Sequence, residues 1–139
     1  MNLFIFDLDN TLLINNLTSS EKHIPDEIKS ILNRIKEKGH MITIASHNSD
    51  PIYFLDKFEI KHLFNSSVYG CSTYDQKGHS KVEHFNKLIK YYQGRFEPNR
   101  MIFFDDYLKY VLEARRLGIK GVQVNCVTGV TWKDVEHFM

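Results

Sequence analysis

Residues 3–11, Leu-Phe-Ile-Phe-Asp-Leu-Asp-Asn-Thr, decide how the chain folds. The stretch opens with four apolar residues, and Asn10 and Thr11 further along favour a turn, which predicts a short buried strand that ends at Asp7. Asp7 and Asp9 would then lie where this first strand leaves the sheet. Two carboxylates at such a position are candidates for chemistry as well as for turn formation.

The rest of the chain alternates short apolar runs with segments of helical period, which is typical of β-α-β units and a parallel sheet. This alternation predicts one α/β domain over residues 1–139, a three-layer α/β/α Rossmann-like sandwich with a central five-stranded parallel sheet. The further strands are expected at residues 41–45, 67–69, 101–104 and 122–124. The helices are expected at residues 25–38, 51–58, 80–94 and 108–118, with a short terminal helix capped by Thr131 and Asp134.

Two local signals make finer predictions. Ser80 and Glu83 match a capping box that would start the third helix, with Lys81 in its first turn. Cys71 and Cys126 are the two cysteines of the chain and form no metal-binding pattern, so both are expected to be buried thiols.

Composition narrows the range of functions. The 139 residues carry 18 basic and 17 acidic side chains, a balance that disfavours extended binding to nucleic acid. No apolar run approaches the roughly 20 residues of a membrane helix. The amino terminus lacks the features of a secretory leader, so a cytoplasmic location is expected.

Acidic side chains collect at the predicted strand ends. Asp7 and Asp9 follow the first strand, and Asp105 and Asp106 follow the strand at 101–104. In open parallel sheets, ligands bind beyond the carboxyl ends of the strands, so these four side chains are expected to converge there. Their mutual repulsion calls for a cation. Oxygen ligands without a Cys or His set favour Mg²⁺ over zinc.

Four ordered motifs resemble those of the haloacid dehalogenase superfamily. Residues 7–11 are similar to its D-x-D-x-T signature, Ser46 to its second motif, Lys81 to its third and residues 103–106 to its acidic fourth motif. The resemblance covers nearly the whole chain. Residues 80–85 and 103–106 are also similar to the small eukaryotic magnesium-dependent phosphatases of that superfamily.

The resemblance implies roles for individual residues. Asp7 would be the nucleophile, and Asp9 would protonate the leaving oxygen and later activate water. Magnesium would be held by Asp7, by the backbone carbonyl of Asp9 and by Asp106, with Asp105 as a neighbouring partner. Which of the two adjacent acids points inward stays open at this point.

A second group of residues is implied in phosphate binding. Ser46 and Lys81 resemble the groups that hold the phosphoryl oxygens, and Thr11 belongs to the first motif. His47 and Asn48 stand where the close relatives are expected to have an Arg after the second motif. Two roles are therefore possible for His47 and Asn48. They contact a leaving group, or they cap the helix that begins near Asp50.

The expected reaction is Mg²⁺-dependent hydrolysis of phosphomonoesters through an aspartyl-phosphate. Asp9 argues against carbon-halogen chemistry, because dehalogenating members usually lack this second acid. The intervals between Thr11 and Ser46 and between Ser46 and Lys81 are too short for a cap domain, so the site is expected to be open. Members of the superfamily without a cap often accept large substrates such as phosphoproteins, and an open site does not exclude a small phosphometabolite. A phosphotransferase and a catalytically quiet phosphate-sensing module are the alternatives.

Overall fold

The computed structural model describes residues 1–16, 21–65 and 80–139. The strands in these ranges, in chain order, are β1 (Leu3–Phe6), β2 (Ile14–Asn15), β3 (Lys22–His23), β4 (Met41–Ile44), β5 (Met101–Asp105) and β6 (Lys120–Gln123). The α-helices are α1 (Asp26–Glu37), α2 (Pro51–Lys57), α3 (Val82–Tyr91), α4 (Leu108–Arg116) and α5 (Trp132–Val135).

Four of the strands form a parallel sheet in the order β4-β1-β5-β6. β1 lies in the middle, with Leu3 opposite Met41 on one side and Met101 on the other. The register therefore brings the carboxyl ends of β4, β1 and β5 to the same edge of the sheet. The motif residues that follow these strands are thereby placed side by side.

Both faces of the sheet are covered. Phe4 and Phe6 pack into one apolar cluster with the buried face of α1, whereas Leu3 and Ile5 pack into a second cluster with residues of α3. Successive side chains of a strand point to opposite faces, so a strand without polar residues requires a layer on each side. The predicted Rossmann-like α/β architecture is confirmed.

The predicted number of parallel strands is wrong for the described residues, which form four and not five. The strand expected at residues 67–69 lies outside the described residues. The structure adds an antiparallel pair, β2 with β3, that was not predicted. Strands of two residues are too short to show a periodic apolar pattern, so the sequence carries little signal for them.

The start of α3 also differs from the prediction. The helix begins at Val82, Lys81 occupies the position before it, and no side chain caps it in a capping box. The Ser80 hydroxyl instead accepts a hydrogen bond from the Val82 backbone N–H. The capping box predicted at the start of α5, between Thr131 and Asp134, is confirmed.

Cys126 is exposed, so the prediction of a buried thiol is wrong there. The residue lies in the loop after β6 and not on a strand, which leaves its side chain at the surface. Cys71 lies outside the described residues. Within the described part of the chain, no helix is both long enough and apolar enough to cross a membrane.

Candidate active site

The backbone beyond β1 is fixed by its neighbours. The Asp7 N–H donates to the Phe104 carbonyl at 2.9 Å, and the Ala45 N–H donates to the Phe6 carbonyl at 3.0 Å. The parallel hydrogen-bond ladder thus extends one residue past the central strand. Asp7 is held at the carboxyl edge, between the ends of β4 and β5.

Lys81 joins these strand ends through its ammonium group. Its Nζ lies 2.8 Å from Asp7 Oδ1, 2.8 Å from Asp105 Oδ2 and 2.9 Å from the Ala45 carbonyl oxygen. The residue is only 1% exposed. All three donors of the ammonium are used, as a buried lysine requires.

Glu113 on α4 holds the backbone of Lys81. Its carboxylate accepts a hydrogen bond of 2.8 Å from the Lys81 N–H, and its own side chain is buried. This contact supplies a partner for a backbone donor that precedes the first turn of α3. Sequence reasoning missed Glu113, because an acidic residue in an amphipathic helix carries no motif.

Asp7, Asp105 and Asp106 form a carboxylate cluster. One carboxylate oxygen from each lies within 4.8 Å of the other two. With all three ionised and Lys81 charged, the group carries a net charge of −2, which one divalent cation would balance. Oxygen donors of this kind suit a hard ion such as Mg²⁺, so the residues present fit the metal that the sequence predicted.

The two adjacent acids differ in their contacts. Asp105 is buried, with one oxygen on Lys81 and the other accepting a hydrogen bond of 3.0 Å from the Tyr107 N–H. Asp106 is half-buried and lines the pocket described below. Asp105 is thus engaged with the protein at both oxygens, and Asp106 has the freer approach to a ligand.

Burial controls the charge state of this cluster. Desolvation raises the pKa of Asp7 to about 7, although the nearby Lys81 ammonium acts in the opposite direction. Burial also raises the pKa of Asp105 and of Asp106. Burial alone would lower the pKa of Lys81, but attraction to Asp7 and Asp105 outweighs it and raises that pKa, so the ammonium persists.

Asp9 sits at the edge of the site with two partners. Its Oδ1 accepts a hydrogen bond of 3.1 Å from Lys22 on β3, and its Oδ2 accepts one of 3.2 Å from the Asn48 side chain. Both the Asp9 and the Lys22 side chains are more than a third exposed. Sequence reasoning missed Lys22, because its contact depends on the pairing of β3 with β2.

Thr11 takes a different position from the one expected of a phosphate-binding residue. It is fully buried, and its hydroxyl donates a hydrogen bond of 3.3 Å to Asp7 Oδ2. It does not line the pocket. In this structure Thr11 orients the Asp7 carboxylate through this hydrogen bond.

The turn after β4 brings three predicted residues together. The Ser46 hydroxyl accepts a hydrogen bond of 3.0 Å from the Asn48 N–H. His47 Nε2 lies 2.9 Å from the carbonyl oxygen of Ser80, the residue before Lys81.

The side chain that caps α2 is Asp50, which accepts a hydrogen bond from the Tyr53 N–H, so the capping interpretation of His47 is wrong. Asn48 is near that cap, since its side-chain oxygen accepts a hydrogen bond from the Asp50 N–H.

These side chains surround one pocket of about 270 Å³. Of the predicted site residues, all but Thr11 line it. The lining residues are Asp7, Asp9, Asn10, Ser46, His47, Asn48, Lys81, Asp105, Asp106, Tyr107 and Tyr110. The tyrosines were not predicted as site residues, since helical spacing alone assigns them to the core.

Residues 14–139 match the sequence model of the Acid Phosphatase family. The chain belongs to this family. The matched range includes Ser46, Lys81, Asp105 and Asp106, and it begins after Asp7 and Asp9. The superfamily predicted from the motifs is confirmed, and this acid phosphatase family member is a hydrolase of the haloacid dehalogenase superfamily without a cap domain in its described residues.

Solved structures share the fold of this acid phosphatase family member. A haloacid dehalogenase-like hydrolase from Streptococcus pneumoniae superposes with a TM-score of 0.73 at 16% identity, over 100% of this chain and 91% of the other. A haloacid dehalogenase family enzyme from Bacteroides thetaiotaomicron, crystallised with magnesium and inorganic phosphate, gives 0.74 at 14% identity over 100% of both chains. No curated protein has significant sequence similarity to the chain.

Proposed function

We propose that this protein is a Mg²⁺-dependent phosphatase that hydrolyses phosphomonoesters through an aspartyl-phosphate on Asp7. The observation that carries the proposal is the buried Lys81 ammonium, 2.8 Å from both Asp7 and Asp105. Its charge favours the ionised form of the buried Asp7 carboxylate against the desolvation that raises the Asp7 pKa, and its hydrogen bond fixes the orientation of that carboxylate. A fixed, ionised carboxylate at the floor of an open pocket is what attack on phosphorus requires.

In the first step, a carboxylate oxygen of Asp7 forms a bond to phosphorus while the bond from phosphorus to the ester oxygen breaks. Asp9, in its protonated form, donates its proton to that leaving oxygen, so the organic product departs as a neutral alcohol. Lys22 and Asn48 hold Asp9 at the mouth of the pocket, 3.1 and 3.2 Å away. This position suits a group that must reach the leaving oxygen.

In the second step, the ionised Asp9 removes a proton from a water molecule whose oxygen bonds to phosphorus. The bond between phosphorus and the Asp7 oxygen breaks, which releases inorganic phosphate and restores the Asp7 carboxylate. Asp9 regains its proton and is ready for the next ester. Asp9 thus acts first as an acid and then as a base, and Asp7 acts as the nucleophile and then as the leaving group, without any external acid or base.

The remaining groups bind and orient. Ser46 and Lys81 would hold phosphoryl oxygens, and Thr11 would keep Asp7 in its orientation. Asp7, Asp106 and the Asp9 backbone carbonyl would hold Mg²⁺, with Asp105 engaged mainly by Lys81. When bound, the metal supplies positive charge that offsets the charge of the phosphoryl group.

The test is release of phosphate from 4-nitrophenyl phosphate with Mg²⁺ or with a chelator. Wild type should turn over only with Mg²⁺, and Asp7→Asn should be inactive while it retains its circular dichroism spectrum. Asp56→Asn, a change at an exposed acid on α2, is the matched control and should keep full activity. Activity in Asp7→Asn would disprove the nucleophile, and inactivity of folded wild type would favour the phosphate-sensing alternative. Capture of the phosphoryl group by an added alcohol in preference to water would indicate a phosphotransferase.

A further inference from the structure

A second cavity lies next to the candidate active site. It has a volume of about 650 Å³, and Asn10 lines both it and the catalytic pocket. We name it the side groove. Its walls come from the paired strands β2 and β3 and from the loop after β6. The proposed mechanism uses Lys22 on β3, which does not line the groove, and none of the residues of the loop after β6.

The volumes of the two cavities suit different parts of a substrate. The catalytic pocket, at about 270 Å³, is smaller than typical ligand sites, which span roughly 300–1,000 Å³. It suits a phosphoryl group and a metal ion and leaves little room for an organic group. The side groove falls within the usual range and opens beside the same loop.

The chemistry of the side groove limits what it can bind. Ile14, Pro25 and Val127 supply apolar surface, and Asn15 and Asn16 supply amide groups that both donate and accept hydrogen bonds. His23 and Thr128 add further polar atoms. Among the described residues that line it, none is Asp, Glu, Lys or Arg. A groove of this composition favours an uncharged group with one apolar face.

The loop wall of the side groove is preorganised. The Asn125 side chain accepts hydrogen bonds from the Val127 and Thr128 N–H groups, at 2.8 and 3.3 Å. Val127 is consequently displayed with 67% of its surface exposed. A loop that is already ordered loses little conformational entropy when a ligand binds.

The same loop, which follows β6, contacts residues of the first motif. Gly129 has a φ of 69°, and a Cβ at this position would lie 2.5 Å from the Thr11 carbonyl oxygen. The Val130 N–H donates to that carbonyl at 2.9 Å. Asn10 itself has a φ of 63°, a conformation that Asn tolerates better than most residues. The wall of the side groove and the catalytic loop are therefore coupled through direct contacts.

From this arrangement we infer that the side groove binds the organic group of the substrate, an uncharged alcohol with an apolar face and hydrogen-bonding groups, about the size of a nucleoside. The inference rests on the proposed phosphatase function and narrows its substrate to a small phosphomonoester. A phosphoprotein would instead engage the open surface and would not require the side groove.

The kinetic test uses two phosphate esters of primary alcohols, thymidine 5′-phosphate and ethyl phosphate. Val127→Asp should raise KM for thymidine 5′-phosphate about tenfold more than KM for ethyl phosphate, since the new carboxylate would lose water against an uncharged group when the groove is filled. Leu112→Asp, at an exposed position on α4 that does not line the groove, is the matched control and should leave the ratio of the two KM values unchanged. An equal effect of Val127→Asp on both esters would overturn the inference.

A second test does not depend on turnover. Cys126 lines the side groove and is exposed, so its alkylation by iodoacetamide reports whether the groove is filled. In Asp7→Asn, thymidine 5′-phosphate should slow alkylation in the peptide containing Cys126, and ethyl phosphate at the same concentration should not. Equal rates with both esters would overturn the inference even if the protein proved inactive. Protection in Asp7→Asn combined with no turnover of either ester by the wild type would refute the phosphatase proposal alone.

Discussion

Replacing Lys81 with methionine keeps the length of the side chain but removes the ammonium 2.8 Å from the carboxylates of Asp7 and Asp105. Both acids are buried, so each would lose a compensating charge without gaining access to water. Breaking a buried ion pair by removing one partner typically costs about 3–5 kcal/mol. We expect Lys81→Met to lower the free energy of unfolding by that amount at pH 8.

The loss should depend on pH in a defined direction. Without the ammonium, the pKa values of Asp7 and Asp105 rise further, so the folded state binds more protons than the unfolded state as the pH falls. Each such carboxylate recovers up to about 1.4 kcal/mol per pH unit once protonation begins. The destabilisation should therefore be smaller at pH 6 than at pH 8.

Urea unfolding followed by circular dichroism, with a chelator present, measures both effects. Lys87→Met is the matched control, because Lys87 lies on α3, the helix that Lys81 precedes, in an exposed pair with Glu83, and its loss should cost less than about 0.5 kcal/mol. A loss for Lys81→Met no larger than that of the control would refute the reasoning. A large loss that is the same at both pH values would show that the carboxylates do not carry it.

Three further predictions follow from other contacts. Because the pKa of Asp7 is raised to about 7, Mg²⁺ binding should release protons near pH 6 and release few above pH 8, which calorimetry in buffers of different ionisation enthalpy detects; no proton release at pH 6 would contradict this. Burial lowers the pKa of His40. As the pH falls below about 6.5, the free energy of unfolding should therefore decrease by up to about 1.4 kcal/mol per pH unit. In urea titrations His40→Gln should flatten that slope, whereas His62→Gln should not. Glu113→Ala should cost about 1–3 kcal/mol and reduce turnover by leaving the Lys81 N–H unpaired, whereas Glu113→Gln keeps an acceptor and should restore most of both; equal loss in the two variants would argue against the hydrogen bond.

The sequence predicts the fold well where the signal is local. The apolar run before Asp7 requires a strand buried on both faces, and parallel pairing then places Ser46 and Asp105 at the same edge. The structure brings these residues together with Lys81, which was expected to lie in a helix and lies one residue before it. Placement along the chain and the pairing rules for parallel strands were sufficient for this part of the site.

The parts that could not be predicted depend on contacts between distant segments. Glu113 meets Lys81 across 32 positions, and Lys22 meets Asp9 across 13. In the sequence, nothing distinguishes either residue from an ordinary charged residue of an amphipathic helix or a loop. Their contacts are decided by how α4 and the paired strands β2 and β3 pack, which no short pattern encodes. The displacement of Thr11 from the pocket has the same origin, since a motif fixes a position along the chain and not the direction of its side chain.

The central claim is that Asp7 becomes phosphorylated during turnover, and chemical trapping tests it most directly. Asp9→Asn should accumulate the aspartyl-phosphate from 4-nitrophenyl phosphate, because this ester needs little protonation of its leaving group and the second step lacks its base. Borohydride would then reduce the acyl phosphate to the alcohol, and peptide mass spectrometry would find homoserine at position 7. Homoserine at another aspartate, or no reduction despite release of 4-nitrophenol, would contradict the account.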